Sequence, residues 1–153
     1  MIPRRDVTLM IAPGGDRGLK ITWYEDANYQ YPYFLNPGTL DGLAARVRTE
    51  LEGVVAAVVA GEQPSKELQV LAAAGYELRS ALFRGDPESR EHSRAAEEWL
   101  LGDEFETPPR ISLVVPYSVH VPWGLLYDDD PSEISYAGDS LTTDQFSAFW
   151  CLK

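Results

Sequence analysis

The chain is 153 residues long and 44% apolar, with 24 acidic residues against 13 basic ones and a net charge of −11. That length and composition suit one domain over 1–153 with a real core, and they exclude wholesale disorder. The acid excess, unbroken by any Lys/Arg-rich stripe, speaks against a nucleic-acid partner. The single cysteine, Cys151, excludes an internal disulfide and a cysteine-based zinc cluster, and it fits a reducing compartment. The opening "MIPRRDVTLMIAPGGD" holds only a short apolar run, interrupted at Pro13, too short for a signal peptide or a membrane span. The expectation is a cytoplasmic chain with no membrane partner.

In chain order, "VTLMIAP" and "LKITWYE" flank "GGDRG", the pattern of two strands joined by a hairpin turn. A phosphate-cradling loop would need a Gly-Lys-Ser/Thr ending and a helix behind it, and this loop leads into a strand pattern instead. "WYEDANYQYPYFLNPG" follows, dense in aromatics: Trp23, Tyr24, Tyr29, Tyr31, Tyr33 and Phe34. Pro32 and Pro37 prevent one helix there. Two readings stand: a segment packed back over the sheet, which is favoured, and a recognition surface.

Helical periodicity begins after the "NPG" turn. Leu40, Leu43, Val47, Leu51, Val54 and Val58 lie on one helix face, with Thr39 as a cap, Asp41 suiting the helix dipole and Gly61 as the stop. A second helix runs from near Ser65, with Leu68, Leu71, Gly75, Leu78 and Leu82 on one face, and stops at Gly85-Asp86-Pro87. A glycine inside that face costs about 1 kcal/mol against alanine, so Gly75 implies close approach by a neighbouring element. Asp86, Pro87 and Glu88 read as cap, first position and first-turn acid of a shorter third helix. His92 falls on its polar side, where a lone histidine reads as surface.

"ISLVVP" reads as an apolar, β-branched strand buried on both faces and central in a sheet. "SVHV" reads as a further strand that ends where Pro122 turns the chain, with "PWGLLYD" a tight helical turn packing Trp123, Leu125 and Leu126 inward. Trp123 is the expected anchor. His120 alternates with Val119 and Val121 and so points opposite to both. As a catalytic base it would need a nucleophile, and the only thiol is Cys151 in "FSAFWCLK", whose apolar neighbours raise rather than lower its pKa. Both residues read more readily as structural. Asp128, Asp129, Asp130 and Glu133 lack the ligand alternation and turn glycine of a calcium loop and read as a solvated acidic loop. Strands and helices together define an α/β fold, with an N-terminal β-hairpin and paired helices. No residue is assigned a catalytic, cofactor-binding or metal-ligating role.

The stretch "ISLVVPYSVHVPWGLLYDDDP" resembles the start of the CHAT domain, a caspase-related peptidase domain. That family carries a Leu-Pro-Trp-Glu-Leu-Leu-Tyr-like turn, matched here by Val121, Pro122, Trp123, Gly124, Leu125, Leu126 and Tyr127, with Gly124 in place of the usual glutamate. "LAAAGYELRSALF", residues 71–83, resembles the helix preceding that strand, and "FSAFWCLK" resembles the segment leading toward the central sheet. The resemblance spans about residue 40 to the end and implies the opening strands of a caspase-like sheet. The family's His-Gly and small-residue-Cys motifs come downstream of the matched portion, and neither His120, followed by Val121, nor Cys151, preceded by Trp150, matches them.

Two readings follow. In the first, the chain is the non-catalytic N-terminal portion of a CHAT-like cysteine peptidase. Its catalytic pair then comes from a later segment or a partner chain, in prokaryotic signalling or defence. In the second, it is a stand-alone protein-interaction module. A hydrolase using His120 and Cys151 ranks third. The expected partner is a protein or the remaining part of the peptidase.

Overall fold

The computed structural model describes residues 5–26, 28–29, 32–102, 108–116, 118–132, 145 and 147–150. They form five strands, β1 (Asp6–Pro13), β2 (Leu19–Glu25), β3 (Asn28–Tyr29), β4 (Tyr33–Leu35) and β5 (Arg110–Val114). Three α-helices accompany them: α1 (Pro37–Val59), α2 (Ser65–Leu82) and α3 (Arg90–Leu101). The fold is α/β. Two units, interleaved in sequence, divide the chain: residues 1–38 with 81–119, and residues 39–80 with 120–153.

The first unit is built on a mixed sheet ordered β3-β2-β1-β5, with β4 also pairing β2. The expected hairpin is present: β1 and β2 pair antiparallel from Thr8↔Tyr24 to Pro13↔Leu19. A single 3-10 turn at Gly15–Arg17 closes it. Gly18 needs to be glycine there. Its φ is +89°, and a Cβ would stand 2.4 Å from the Leu35 carbonyl oxygen. Alternation along β1 buries Val7, Leu9 and Ile11, and β2 adds Ile21 and Trp23 to the core. α3 contributes Ser93, Ala96 and Leu100 at three- and four-residue steps.

Two arginines tie loops to this sheet. Arg5 donates to both Glu25 carboxylate oxygens, at 2.7 and 2.9 Å, and lies 4.8 Å over the Trp99 ring. Arg17 donates to Asp86 at 2.7–2.9 Å and stacks 3.9 Å over Phe34.

β5 departs from expectation. It pairs parallel with β1, from Asp6↔Arg110 to Met10↔Val114, and has no second neighbour among the described strands. Among the described strands it is an edge, not a central strand. Nor is it buried on both faces, for Leu113 is 40% and Val114 51% exposed. An apolar, β-branched run reports what a strand favours, whereas topology sets how many neighbours it has.

The second unit holds most of α1 and α2. Leu40, Ala44, Val47 and Ala57 are the buried residues of α1. The expected face therefore holds through Val47, while Leu51 and Val54 are half-buried and Val58 is exposed. α2 buries Leu71, Ala72, Ala74 and Leu78, and Glu77 on it pairs with Arg46 of α1. The helix start also differs from the sequence expectation. α1 begins at Pro37, and Asn36 Oδ1, not Thr39, accepts the Gly38 N–H at 2.9 Å. Asn at the cap followed by Pro is the stronger start signal, because Pro has no N–H to leave unsatisfied. Gly61 ends α1 as expected, with φ +76° and its N–H donating to the Val58 carbonyl.

Candidate functional site

The residues singled out from the sequence fall in both units. In the first, Gly14 to Gly18 make the hairpin turn, with Gly14 N–H donating to the Gly18 carbonyl at 2.7 Å and Arg17 committed to Asp86. The loop closes a hairpin, as expected. Asp86 also accepts the Ser89 N–H at 2.9 Å, so it caps the turn leading into α3, which itself begins only at Arg90. Hydrogen bonds from Ser89, then those from Arg17, hold the Asp86 carboxyl below the usual carboxylate range.

Among the aromatics, the packing reading holds for Trp23 and Tyr33. Both are fully buried, and Trp23 stacks on Phe83 with ring centroids 5.7 Å apart. Trp23 Nε1 donates to Tyr33 Oη at 3.1 Å, and Tyr33 in turn donates to the Leu82 carbonyl at 3.0 Å. Burial raises the Tyr33 phenol far above its ordinary pKa, so it stays a neutral donor. Tyr31 lies outside the described residues. His92 is exposed, with Nδ1 3.1 Å from the Pro32 carbonyl oxygen.

The stretch that carries the family resemblance lies mainly in the second unit. No strand forms at "SVHV": Val119 to Val121 are irregular. Pro116 accounts for this, since its carbonyl takes the Val119 N–H at 3.0 Å and bends the chain out of any ladder. The alternation survives. Val119 and Val121 are each 8% exposed, and His120 is exposed between them. Arg48 donates to the His120 backbone carbonyl at 2.7 Å.

The tight turn is present as a 3-10 helix over Trp123–Leu125, entered through Pro122. Its inward residues differ from those expected. Trp123 and Leu125 are half-buried, whereas Leu126 and Tyr127 are fully buried. The three-residue turn ends at Leu125, the backbone is extended at Leu126, and the two residues just past the turn are the ones buried. The anchor is Tyr127. Its ring meets Phe149 edge-on at 4.7 Å, and its hydroxyl donates to the Gln145 carbonyl at 2.7 Å.

Gly75 of α2 receives this turn. A Cβ there would stand 2.2 Å from the Leu125 carbonyl oxygen and 3.2 Å from Tyr127 Cβ. The expected close approach is therefore made by the turn itself.

The acidic run is not uniformly solvated. Asp128 has a side chain only 16% exposed and accepts from Arg79 Nε at 3.3 Å and Trp150 Nε1 at 2.9 Å. Partners so remote in sequence gave no local signal for this. Asp129 is exposed. Asp130 accepts from the Ser132 hydroxyl and N–H, which, the hydroxyl first, lower its pKa. Glu133 and Cys151 lie outside the described residues. Among the described residues no group of three or more His, Cys, Asp or Glu is arranged to hold a metal ion.

Comparison of the chain with family models, curated proteins and solved structures finds no match.

Proposed function

We propose that this chain is the non-catalytic N-terminal portion of a CHAT-like, caspase-related cysteine peptidase. It shapes a proteolytic centre whose histidine and cysteine are supplied by a later segment or a partner chain. The observation that carries the reading is the Pro122–Tyr127 turn. That segment holds a 3-10 turn over Trp123–Leu125 and packs against Gly75, where an added Cβ would meet the Leu125 carbonyl. A parallel β1–β5 pair, which needs a long crossover between its strands, supports the same class of α/β sheet. The chemistry of the candidates agrees. His120 is exposed, and among the described residues the hydrogen bond it receives is from the Arg48 guanidinium to its backbone carbonyl, not one to its ring from a nucleophile. One cysteine suits a reducing cytoplasm, and a protein is the expected partner.

The test is a proteolysis assay with an unstructured protein substrate and a thiol-reactive probe. We expect no turnover from the 153-residue chain. Turnover lost in both His120→Ala and Cys151→Ala would replace the scaffold reading with a hydrolase working through those two residues.

The interaction-module reading draws on a separate feature. Val55, Val58 and Val59 are 53–82% exposed near the end of α1, and Val70 of α2 is 41% exposed. Apolar side chains clustered at a surface mark protein contacts. A partner that binds the wild-type chain and not Val55→Lys/Val59→Lys, with no protease activity in the complex, would favour that module.

A further inference from the structure

The edge of β5 offers backbone as well as side chains. Arg110 N–H donates to the Arg5 carbonyl at 2.8 Å, so Arg110, Ser112 and Val114 direct their amides toward β1. By the same alternation Ile111 and Leu113 direct theirs away, and those groups meet no partner among the described residues. Both faces also leave apolar side-chain surface open. Ile111 is half-buried and Leu113 40% exposed on one face, while Val114 is 51% and its register partner Met10 37% exposed on the other. Unpaired amides beside exposed apolar side chains are a template for another strand.

We propose that β5 pairs antiparallel with β5 of a second copy of this chain, about a two-fold axis at Ser112. Self-complementarity and charge select this occupant. The axis sets Ile111 against Leu113 of the second copy and the reverse, so the outward amides and carbonyls of both satisfy one another. It sets Arg110 against Val114, which places the two guanidiniums at opposite ends of the ladder and leaves no like charges opposed. Arg110 is the only charge on β5, in a chain of net charge −11. The Asp6 carboxylate beside it lies 3.8 Å from its guanidinium. This edge is thus a strip along which two acidic copies meet without facing carboxylates. The inference goes beyond the peptidase reading and does not depend on it.

Sedimentation equilibrium across micromolar to millimolar concentrations tests it. The wild-type chain shows a reversible dimer, and Leu113→Lys raises its dissociation constant about tenfold or more. A second variant reads the axis directly. Opposed residues of a non-hydrogen-bonded antiparallel pair have Cα atoms about 4.5 Å apart, within disulfide reach. In a Cys151→Ser background with dissolved oxygen and a copper catalyst supplied as oxidant, Ser112→Cys therefore forms a disulfide-linked dimer, and Lys20→Cys on β2 does not. A chain that stays monomeric throughout overturns the proposal. So does a dimer that Leu113→Lys leaves intact, or one that Ser112→Cys fails to cross-link. None of these outcomes bears on the proteolysis assay.

Discussion

Gly75 sets how tightly α2 and the Trp123–Leu125 turn pack. A methyl group there has to displace a backbone carbonyl rather than a flexible side-chain end. We expect Gly75→Ala to lower stability by about 1–3 kcal/mol despite alanine's better helix propensity. Gly53, in α1, is the control, because a Cβ added to it would meet nothing within 4 Å. Gly53→Ala should stabilise by roughly 0.5–1 kcal/mol. Thermal melts of the two variants, shifting in opposite directions, check both. Gly75 was readable in the sequence because helix propensity disfavours a glycine on a buried face, and a close neighbour is what offsets that cost. Tyr127 was not. It stands between two leucines and an acidic run, and its partners Gln145 and Phe149 are a further stretch of chain away.

Among the elements, the strands and helices followed from periodicity, while their surroundings did not. Alternation in β1 and three- and four-residue spacing in α1 and α2 are local properties. The edge position of β5 and the exposure of Val58 depend on which element lies alongside, which no local pattern records. The consequence for α1 is measurable. Leu40→Ala should cost about 2–5 kcal/mol. Val58→Ala, on the same helical stripe, should stay within about 0.5 kcal/mol. Urea denaturation of the two variants separates a buried turn of helix from an uncovered one.

The loop clasps give a pH dependence with a defined sign. The Arg5 hydrogen bond lowers the Glu25 pKa, and the Ser89 and Arg17 hydrogen bonds lower that of Asp86. A carboxyl whose folded pKa lies below its unfolded value adds stability that is present above the unfolded value, 4.5 for Glu25 and 3.8 for Asp86. That stability is lost as pH falls through the folded values. Urea midpoints should therefore decline as pH drops below these values, and the decline should be shallower in Glu25→Gln. A midpoint whose pH dependence is the same in Glu25→Gln and wild type would mean that the Arg5–Glu25 clasp adds no stability.

For the whole molecule, charge and chemistry narrow the possibilities more than architecture does. Among the described residues no helix is long and apolar enough to cross a membrane. The excess of carboxylates predicts that retention on a heparin or DNA column is negligible at any salt concentration, since phosphate and sulfate polyanions find no basic stripe to displace counterions. Function was less legible than fold. The tight turn at Trp123–Leu125 could be read from a short run of consecutive residues, and the structure has it. A catalytic pair, by contrast, is defined by distances between residues remote in sequence, which composition and spacing do not encode.

The burial of Trp23 has an optical consequence. Of the four tryptophans in the chain, Trp23 alone is fully buried, stacked on Phe83 and hydrogen-bonded to Tyr33, while Trp99, Trp123 and Trp150 are each partly open to solvent. A neutral quencher such as acrylamide therefore extinguishes the red part of the emission first and leaves a blue-shifted remainder that belongs to Trp23. That remainder is a private signal from the sheet-containing unit, and Trp23→Phe erases it. Followed during unfolding, it reports when the β1–β2 core admits water, while the quenchable light comes from Trp99, Trp123 and Trp150 together.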